Sequence, residues 1–312
     1  MPKLVSAFVA LLCFALSGCT AEFGSSTIYV LIVGKSTQGK YWEAVQSGAK
    51  VQAESEHIKI RYVAPDSPDD VEGQLRLLRE ALNTRPSAIA FAPISPTSAV
   101  SMAKEATKAG IPFIAFDTQL EGVNPTVTVA TNNNTAAAEA ARHMCDLIGG
   151  GGSVATVSDA LGHHTEIDRY IGFRDGLRED CPKVVLLDPI TLDGDEDAGL
   201  AAFQSSLKKQ KPAGVLFTSA DAAGKILADW KEGEENPVLI GFDSGAEQIK
   251  AIRSGVMAGA IAQNPTGMGA QVVTSALRLI ENKPLPRLVD TGFFWYDKEN
   301  IDKPAIQAVI AE

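Results

Sequence analysis

Two stretches of the chain end in the same way, and this repetition constrains the fold more than any other feature. Asn236-Pro237-Val238-Leu239-Ile240-Gly241-Phe242-Asp243-Ser244 is a short apolar run flanked by turn-formers, the pattern of a strand buried on both faces. Ile111-Pro112-Phe113-Ile114-Ala115-Phe116-Asp117-Thr118 repeats it. Each run finishes Phe-Asp-hydroxyl. In open parallel α/β sheets ligands sit outside the carboxyl ends of the strands. Two such strands are therefore expected to offer two carboxylates to one ligand from two separate sheets. A single Asp at a strand end reads more simply as the cap of the next helix. Two copies with the same neighbours favour a shared cleft.

Strands and helices alternate around these two stretches. In the first half, strands are expected at 27–33, 58–63, 88–92, 111–116 and 127–130. Between them lie helices with the stripes Trp42, Val45, Ala49, Ala53 and Val71, Leu75, Leu78, Leu82, and a third from Ser98 to Ala109 that Gly110 closes. The pattern restarts at Asn134. Helices are expected at 134–148, 166–178, 197–208, 220–231, 247–253 and 268–281, with strands at 154–157, 184–187, 214–217, 236–242 and 258–262. This alternation predicts parallel, doubly wound sheets, and the restart predicts two lobes of similar size, within reach of 312 residues. Gln263-Asn264-Pro265 and Asp290-Thr291-Gly292 are the expected crossings between lobes.

The N-terminus stands apart. Lys3, the apolar run Leu4 to Leu16 and then Ser17-Gly18-Cys19 make a secretory signal over 1–18, too short for a comfortable membrane span. Leu16-Ser17-Gly18-Cys19 resembles a bacterial lipobox, in which Cys19 is lipidated and becomes the new N-terminus; an ordinary signal with a chance cysteine is the plainer alternative. Residues 19–26 would be a small, polar tether, and acylation would hold the protein at a membrane without a spanning helix. Cys145 and Cys181 then remain as an even pair in an oxidising compartment. They are either a disulfide, across two helices expected to share one face of the sheet, or two buried thiols.

Catalytic and nucleotide motifs fail one by one. Gly34-Lys35-Ser36 imitates the end of a P-loop, but Tyr29 stands where the earlier glycine is required. Gly149 to Gly152 lacks dinucleotide-binding spacing. Neither a zinc ligand set nor a Ser-His-Asp arrangement is evident. No metal and no cofactor is expected. The net charge of −10 speaks against a nucleic-acid partner. What remains are hydrogen-bonding and stacking residues at strand ends. Tyr41-Trp42 could lie on the apolar face of a sugar or pack as helix-face core. His163 and Arg169 follow the first strand of the second lobe. Arg169 could fork onto two hydroxyls or pair with Asp168 or Asp175.

At these residues the chain resembles the type I periplasmic sugar-binding proteins of the ribose/galactose-binding family, the substrate-capturing subunits of ABC importers. The resemblance covers nearly everything after Thr27. It rests on Tyr41-Trp42 with Gly48-Ala49, Gly110-Ile111-Pro112 leading to Asp117, and Ala130-Thr131-Asn132-Asn133. Gly241-Phe242-Asp243-Ser244, Gln263-Asn264-Pro265, Met268-Gly269 and Asp290-Thr291-Gly292 complete it. It implies an α/β fold of two doubly wound parallel-sheet lobes joined by a multi-strand hinge. The first lobe would take 27–131 plus 264–290, the second 132–263 plus 291–312. It implies that Tyr41 and Trp42 sandwich a sugar whose hydroxyls meet Asp117, Arg169, Asp243 and Gln263, with His163 matching the glucose/galactose binders. The chain departs from the ribose binders at Ala92-Pro93, at Thr118, at Thr218 or Ser219, and at Lys35, which adds a cation.

Taken with the signal and the lipobox-like run at Cys19, the resemblance implies an exported, lipid-anchored monomer that captures a monosaccharide or related polyol for an ABC importer permease, without enzymatic chemistry. Two alternatives stand beside it. One is a receptor presenting a sugar or quorum signal to a sensor or chemoreceptor. The other is a periplasmic sugar-acting enzyme using Asp117 and Asp243.

Overall fold

The computed structural model describes residues 27–123, 127–159, 164–192, 196–228, 230 and 236–310. The signal, Cys19 and His163 lie outside these residues. In chain order the elements are β1 (Tyr29–Val33), α1 (Lys40–Ser55), β2 (Lys59–Val63), α2 (Val71–Asn83), β3 (Ala88–Phe91), α3 (Val100–Lys108), β4 (Phe113–Phe116) and β5 (Val127–Ala130). There follow α4 (Asn133–Ile148), β6 (Ser153–Ser158), α5 (His164–Asp180), β7 (Val185–Leu186), β8 (Ile190–Thr191), α6 (Glu196–Lys209), β9 (Gly214–Phe217), α7 (Ala220–Ala228) and β10 (Val238–Phe242). The last are α8 (Ala246–Ser254), β11 (Gly259–Gln263), α9 (Pro265–Ile280), β12 (Leu288–Asp290), β13 (Phe293–Asp297) and α10 (Pro304–Gln307).

Among the described residues these strands form two sheets of the same winding. The first runs β2-β1-β3-β4-β5-β12, the second β7-β6-β9-β10-β11-β13, with β8 beside β6. In each, the strand order reverses beside the first strand, between β1 and β3 and between β6 and β9. That reversal is where open α/β sheets bind ligands. Both faces of each sheet are covered. Val30 and Ile32 point into the core under α1 and α9, while Leu31 and Val33 point to the opposite face under α2 and α3. The apolar runs are continuous for this reason. In the second sheet Leu216, Ile240 and Phe242 pack under α4 and α5, and Val215, Phe217 and Leu239 face the other way. Helices α1 and α9 meet through glycine: a Cβ on Gly48 would collide with the Thr266 carbonyl, and one on Gly269 with the Val45 carbonyl.

Three differences from expectation appear among the described residues. The second sheet is not wholly parallel, because β13 runs antiparallel to β11. The strand β12 leaves the first sheet at its carboxyl end, and only Thr291-Gly292 separates it from β13. A chain that passes straight across must enter the second sheet from the carboxyl edge, against its neighbours. The strand expected at 184–187 shortens to β7 on Ser153-Val154, and a second short strand, β8, pairs further along with Val157-Ser158. Pro189 between them has no N–H to continue the ladder. The helix expected to reach Lys231 stops at Ala228, and Lys231 lies outside the described residues. Cys145 near the end of α4 and Cys181 just after α5 are disulfide-bonded, with Cα atoms 5.9 Å apart. Among the described residues no helix is long and apolar enough to cross a membrane.

Candidate functional site

The two Phe-Asp strand ends adopt the same local structure. Asp117 and Asp243 have φ of 62° and 64°, a left-handed conformation uncommon outside glycine but tolerated by Asp. Each N–H completes the ladder to the next strand, Asp117 to the Val129 carbonyl at 2.9 Å and Asp243 to Ile261 at 2.7 Å. Neither side chain is used as a helix cap. Gly245 precedes α8 with no side-chain cap, and the next described helix after Asp117 is α4, capped by Asn132. Both carboxylates are turned to other partners.

In the first lobe Lys35, on the loop after β1, donates to Asp117 Oδ2 at 2.6 Å and to Thr118 Oγ1 at 2.7 Å. The Tyr41 hydroxyl donates to Asp117 Oδ1 at 2.7 Å. Burial would raise the Asp117 carboxyl, but the Lys35 charge and the hydrogen bonds from Lys35, Tyr41 and Thr118 outweigh it and hold it below its ordinary value. Burial, reinforced by the Asp117 charge, pushes the Tyr41 hydroxyl well above its own. Tyr41 and Trp42 meet edge to face with ring centroids 5.2 Å apart. Trp42 is also edge-on to Phe116, and both rings pack against the core. Rings in this contact leave no slot between them, so the expected two-ring sandwich is corrected to a braced wall whose polar tip is Tyr41.

In the second lobe Arg169, on α5 and 2% exposed, is held on four sides. Its Nε donates to Asn133 Oδ1 at 2.9 Å, one terminal nitrogen to the Thr218 carbonyl at 2.6 Å, and its fork to Asp243 at 2.9 and 3.3 Å. The Phe242 ring lies beneath it, 4.4 Å from Cζ to centroid. Gln263 donates to Asp243 Oδ1 at 2.7 Å. The alternative pairing of Arg169 with Asp168 or Asp175 is not the one adopted: Asp175 accepts from Arg174 instead. Thr218 and Ser219, either of which could stand at the ribose binders' Asn position, are bonded differently. Ser219 Oγ accepts from Ala222 N in the first turn of α7, while Thr218 Oγ1 donates to buried Glu166 at 2.9 Å. Asn133 follows the first crossing directly. Its position is part of the family-like Thr131-Asn132-Asn133 run, but its bond to Arg169 has no signature in the sequence.

The half-sites face one another. The Tyr41 hydroxyl senses Asp243 and Arg169 of the opposite lobe as well as its own Asp117. At the cleft rim His164 meets Glu121 across the gap. Three crossings stitch the base. Asp290 Oδ1 accepts from Asn132 N and Gly292 N, both at 3.0 Å, and Asn264 Nδ2 donates to the Thr291 carbonyl at 3.0 Å. Beside these crossings lies a cavity of about 540 Å³ that includes Asp117, Gln119, Glu121, Asn133, His164 and Asp168. It takes in Asp117 but not Arg169, Asp243 or Gln263, so the paired carboxylates, not the cavity, define the candidate site. Among the described residues no group of three His, Cys, Asp or Glu is arranged to hold a metal ion.

This arrangement suits binding better than chemistry. A glycosidase needs one carboxyl kept protonated, with its pKa raised. Asp117 is shifted the other way, and Asp243 is matched to a guanidinium. Each acid is an acceptor with its own cation already in place.

Comparison with known proteins agrees with this geometry. Residues 28–284 match the family described as "Periplasmic binding protein domain". The D-allose-binding periplasmic protein of Escherichia coli K12 is 25% identical over 262 residues, covering 80% of this chain and 83% of its own. The ribose import binding protein RbsB of Bacillus subtilis 168 is 22% identical over 302 residues, covering 93% and 97%. Among solved structures, an "ABC transporter, LacI family transcriptional regulator" from Brachyspira murdochii superposes with a TM-score of 0.82 at 28% identity, covering 92% of this chain and 99% of its own. The arabinose-binding protein AraP of Geobacillus stearothermophilus gives 0.78 at 25%, covering 88% and 98%. Three of these four are named as sugar-binding proteins. On the match over residues 28–284 and its two largely parallel sheets joined by crossings, the chain belongs to the periplasmic binding protein family, as a type I, sugar-binding member.

Proposed function

We propose that this protein is an extracytoplasmic solute-binding lipoprotein that captures a monosaccharide or related polyol between its lobes and delivers it to an ABC importer. The observation that carries the reading is the state of the two carboxylates. A carboxylate has about four acceptor positions. Asp117 uses three, for Lys35, Thr118 and Tyr41, and Asp243 uses three, for Arg169 twice and Gln263. Each keeps one position for a ligand hydroxyl, and its charge is balanced beforehand. Charged hydrogen bonds are worth about 1.5–3 kcal/mol each, so a few of them with stacking reach micromolar affinity. Hydroxyls of a neutral polyol satisfy such a site without displacing an ion pair.

In this reading Lys35, Tyr41, Trp42, Asp117, His163, Arg169, Asp243 and Gln263 are the ligand residues. The lobes, 27–131 plus 264–290 and 132–263 plus 291–312, close by bending at the crossings. Lipid on Cys19 anchors the protein, as a monomer, near its permease. The test is a thermal-shift screen of aldoses, ketoses and polyols, including allose, ribose, arabinose and xylitol. A ligand at a thousand times its Kd adds about 4 kcal/mol of stability. A screen in which no sugar or polyol moves the transition would sink the proposal.

A further inference from the structure

The helix α2 carries an apolar stripe, Val71, Leu75, Leu78 and Leu82, and Gln74 falls on that same face, three residues after Val71 and four before Leu78. An amide there is out of place in a core unless it is fully bonded. Gln74 is 0% exposed and fully bonded. Its Nε2 donates to the Gly34 carbonyl at 2.8 Å and the Ala92 carbonyl at 2.7 Å, and its Oε1 accepts from Ile94 N at 3.0 Å.

These partners occupy one place in the fold. Gly34 follows β1 and Ala92 follows β3, the neighbours between which the first sheet reverses its order. The ladder bonds of this edge end there, with Ala92 N donating to Val33 and Gly34 N to Val63. Beyond that point the two chains separate towards opposite faces, which leaves two carbonyls and one N–H with no strand partner. A primary amide has two donors and an acceptor on one rigid plane and matches that set. Lys35, which reaches Asp117, is the next residue after Gly34.

We propose that Gln74 is a positioning residue for ligand capture, clamping the loops after β1 and β3 so that Lys35 is delivered to Asp117. It does not line the cleft; it acts through the Gly34 peptide. Tyr62 braces the same loop from the other side, its hydroxyl donating to the Ser36 carbonyl at 3.0 Å. The clamp explains how a lysine on a glycine-bounded loop holds a 2.6 Å pair while only part-buried.

The inference rests on reading Asp117 as a ligand acid, and its test does not depend on knowing the sugar. The Asp117 carboxyl is titrated by carbon-13 NMR in the full-length mature protein, the Gln74→Met variant and Lys35→Met. Lys35→Met sets the full upward displacement of the midpoint. Gln74→Met, similar in shape but unable to donate, is expected to give at least half of it. Gln74→Asn, one methylene too short to span both carbonyls, is expected to behave alike and serves if the first variant does not fold. Leu78→Val, one turn along the same helix and equally buried, weakens packing only and should leave the midpoint in place. An unchanged Asp117 titration in both Gln74 variants, or an equal displacement in Leu78→Val, overturns the proposal. A positive titration result with no binding of D-ribose, D-allose or xylitol by any form would count against the ligand reading of Asp117 and leave the clamp standing.

Discussion

Replacing Asp243 with Asn tests the second half-site with the least collateral change. Asn tolerates the left-handed φ of 64° and keeps the side-chain shape. It cannot keep the bonding. With its oxygen in the Oδ1 place it still accepts from Gln263 and from one Arg169 nitrogen, but its NH₂ group then faces the other Arg169 nitrogen, donor against donor. Arg169 is 2% exposed and loses its counter-charge. Removing one partner of a buried pair costs about 3–5 kcal/mol, and the low end applies because Asn133 and the Thr218 carbonyl still hold the guanidinium. About 3 kcal/mol corresponds to a fall in Tm of roughly 6–12 °C for a chain of this size. The ligand loses one charged acceptor, about 1.5–3 kcal/mol, or roughly 10- to 150-fold in Kd. Calorimetry with the best sugar of the screen, beside scanning calorimetry of the free protein, reads both. Adding Arg169→Met should recover much of the stability and none of the affinity. An Asp243→Asn protein with Tm within 2 °C and Kd within threefold of the parent would refute the assignment.

Three further outcomes are expected. Asp117 has a lowered pKa in the folded state, so its stabilisation is full above about pH 4 and is lost as pH falls through that lowered value; pH-dependent unfolding of Asp117→Asn should therefore lack this acid-side loss, and parallel curves would contradict it. Reducing the Cys145–Cys181 bond, which spans 36 positions, should cost about 4 kcal/mol on the loop-entropy estimate, seen as a lower denaturation midpoint with reductant; two free thiols in the unfolded, unreduced protein would exclude the bond. Cys19→Ala should move the protein out of the membrane fraction or leave its signal uncleaved, and unchanged membrane association on fractionation would end the lipid-anchor proposal.

The sequence was most legible where burial dictates composition. The runs at 113–116 and 238–242 had to be apolar on both faces, so their strands and their terminal acids stood out. Helix stripes were legible for the same reason, to within about three residues at the ends. Geometry that depends on distant residues was not. Leu288-Val289-Asp290 is too short to announce a strand, and the reversal of β13 follows only from where β12 points. Tyr41 read as a stacking ring because sequence shows a ring and not the direction of its hydroxyl. Whether Cys145 and Cys181 meet hung on one helix register. Gln74 left a visible trace, a polar residue inside an apolar stripe, but its three partners lie 40, 18 and 20 positions away.

The glycine contact between α1 and α9 sets an order of assembly. Gly48 and Gly269 are about 220 residues apart along the chain, and everything that forms the second sheet up to β11 lies between them. The face of α1 that carries Gly48 stays uncovered until that span has emerged, and β12 closes the same sheet later still. Bringing such distant segments together costs about 2 kcal/mol more in loop entropy than joining segments 20 residues apart, and contacts of this range slow folding. A growing or partly threaded chain cannot finish its first lobe early. Maturation of both halves is thereby tied to the arrival of α9, β12 and β13, and a chain cut short before α9 would leave the first sheet without β12 and the second without β13.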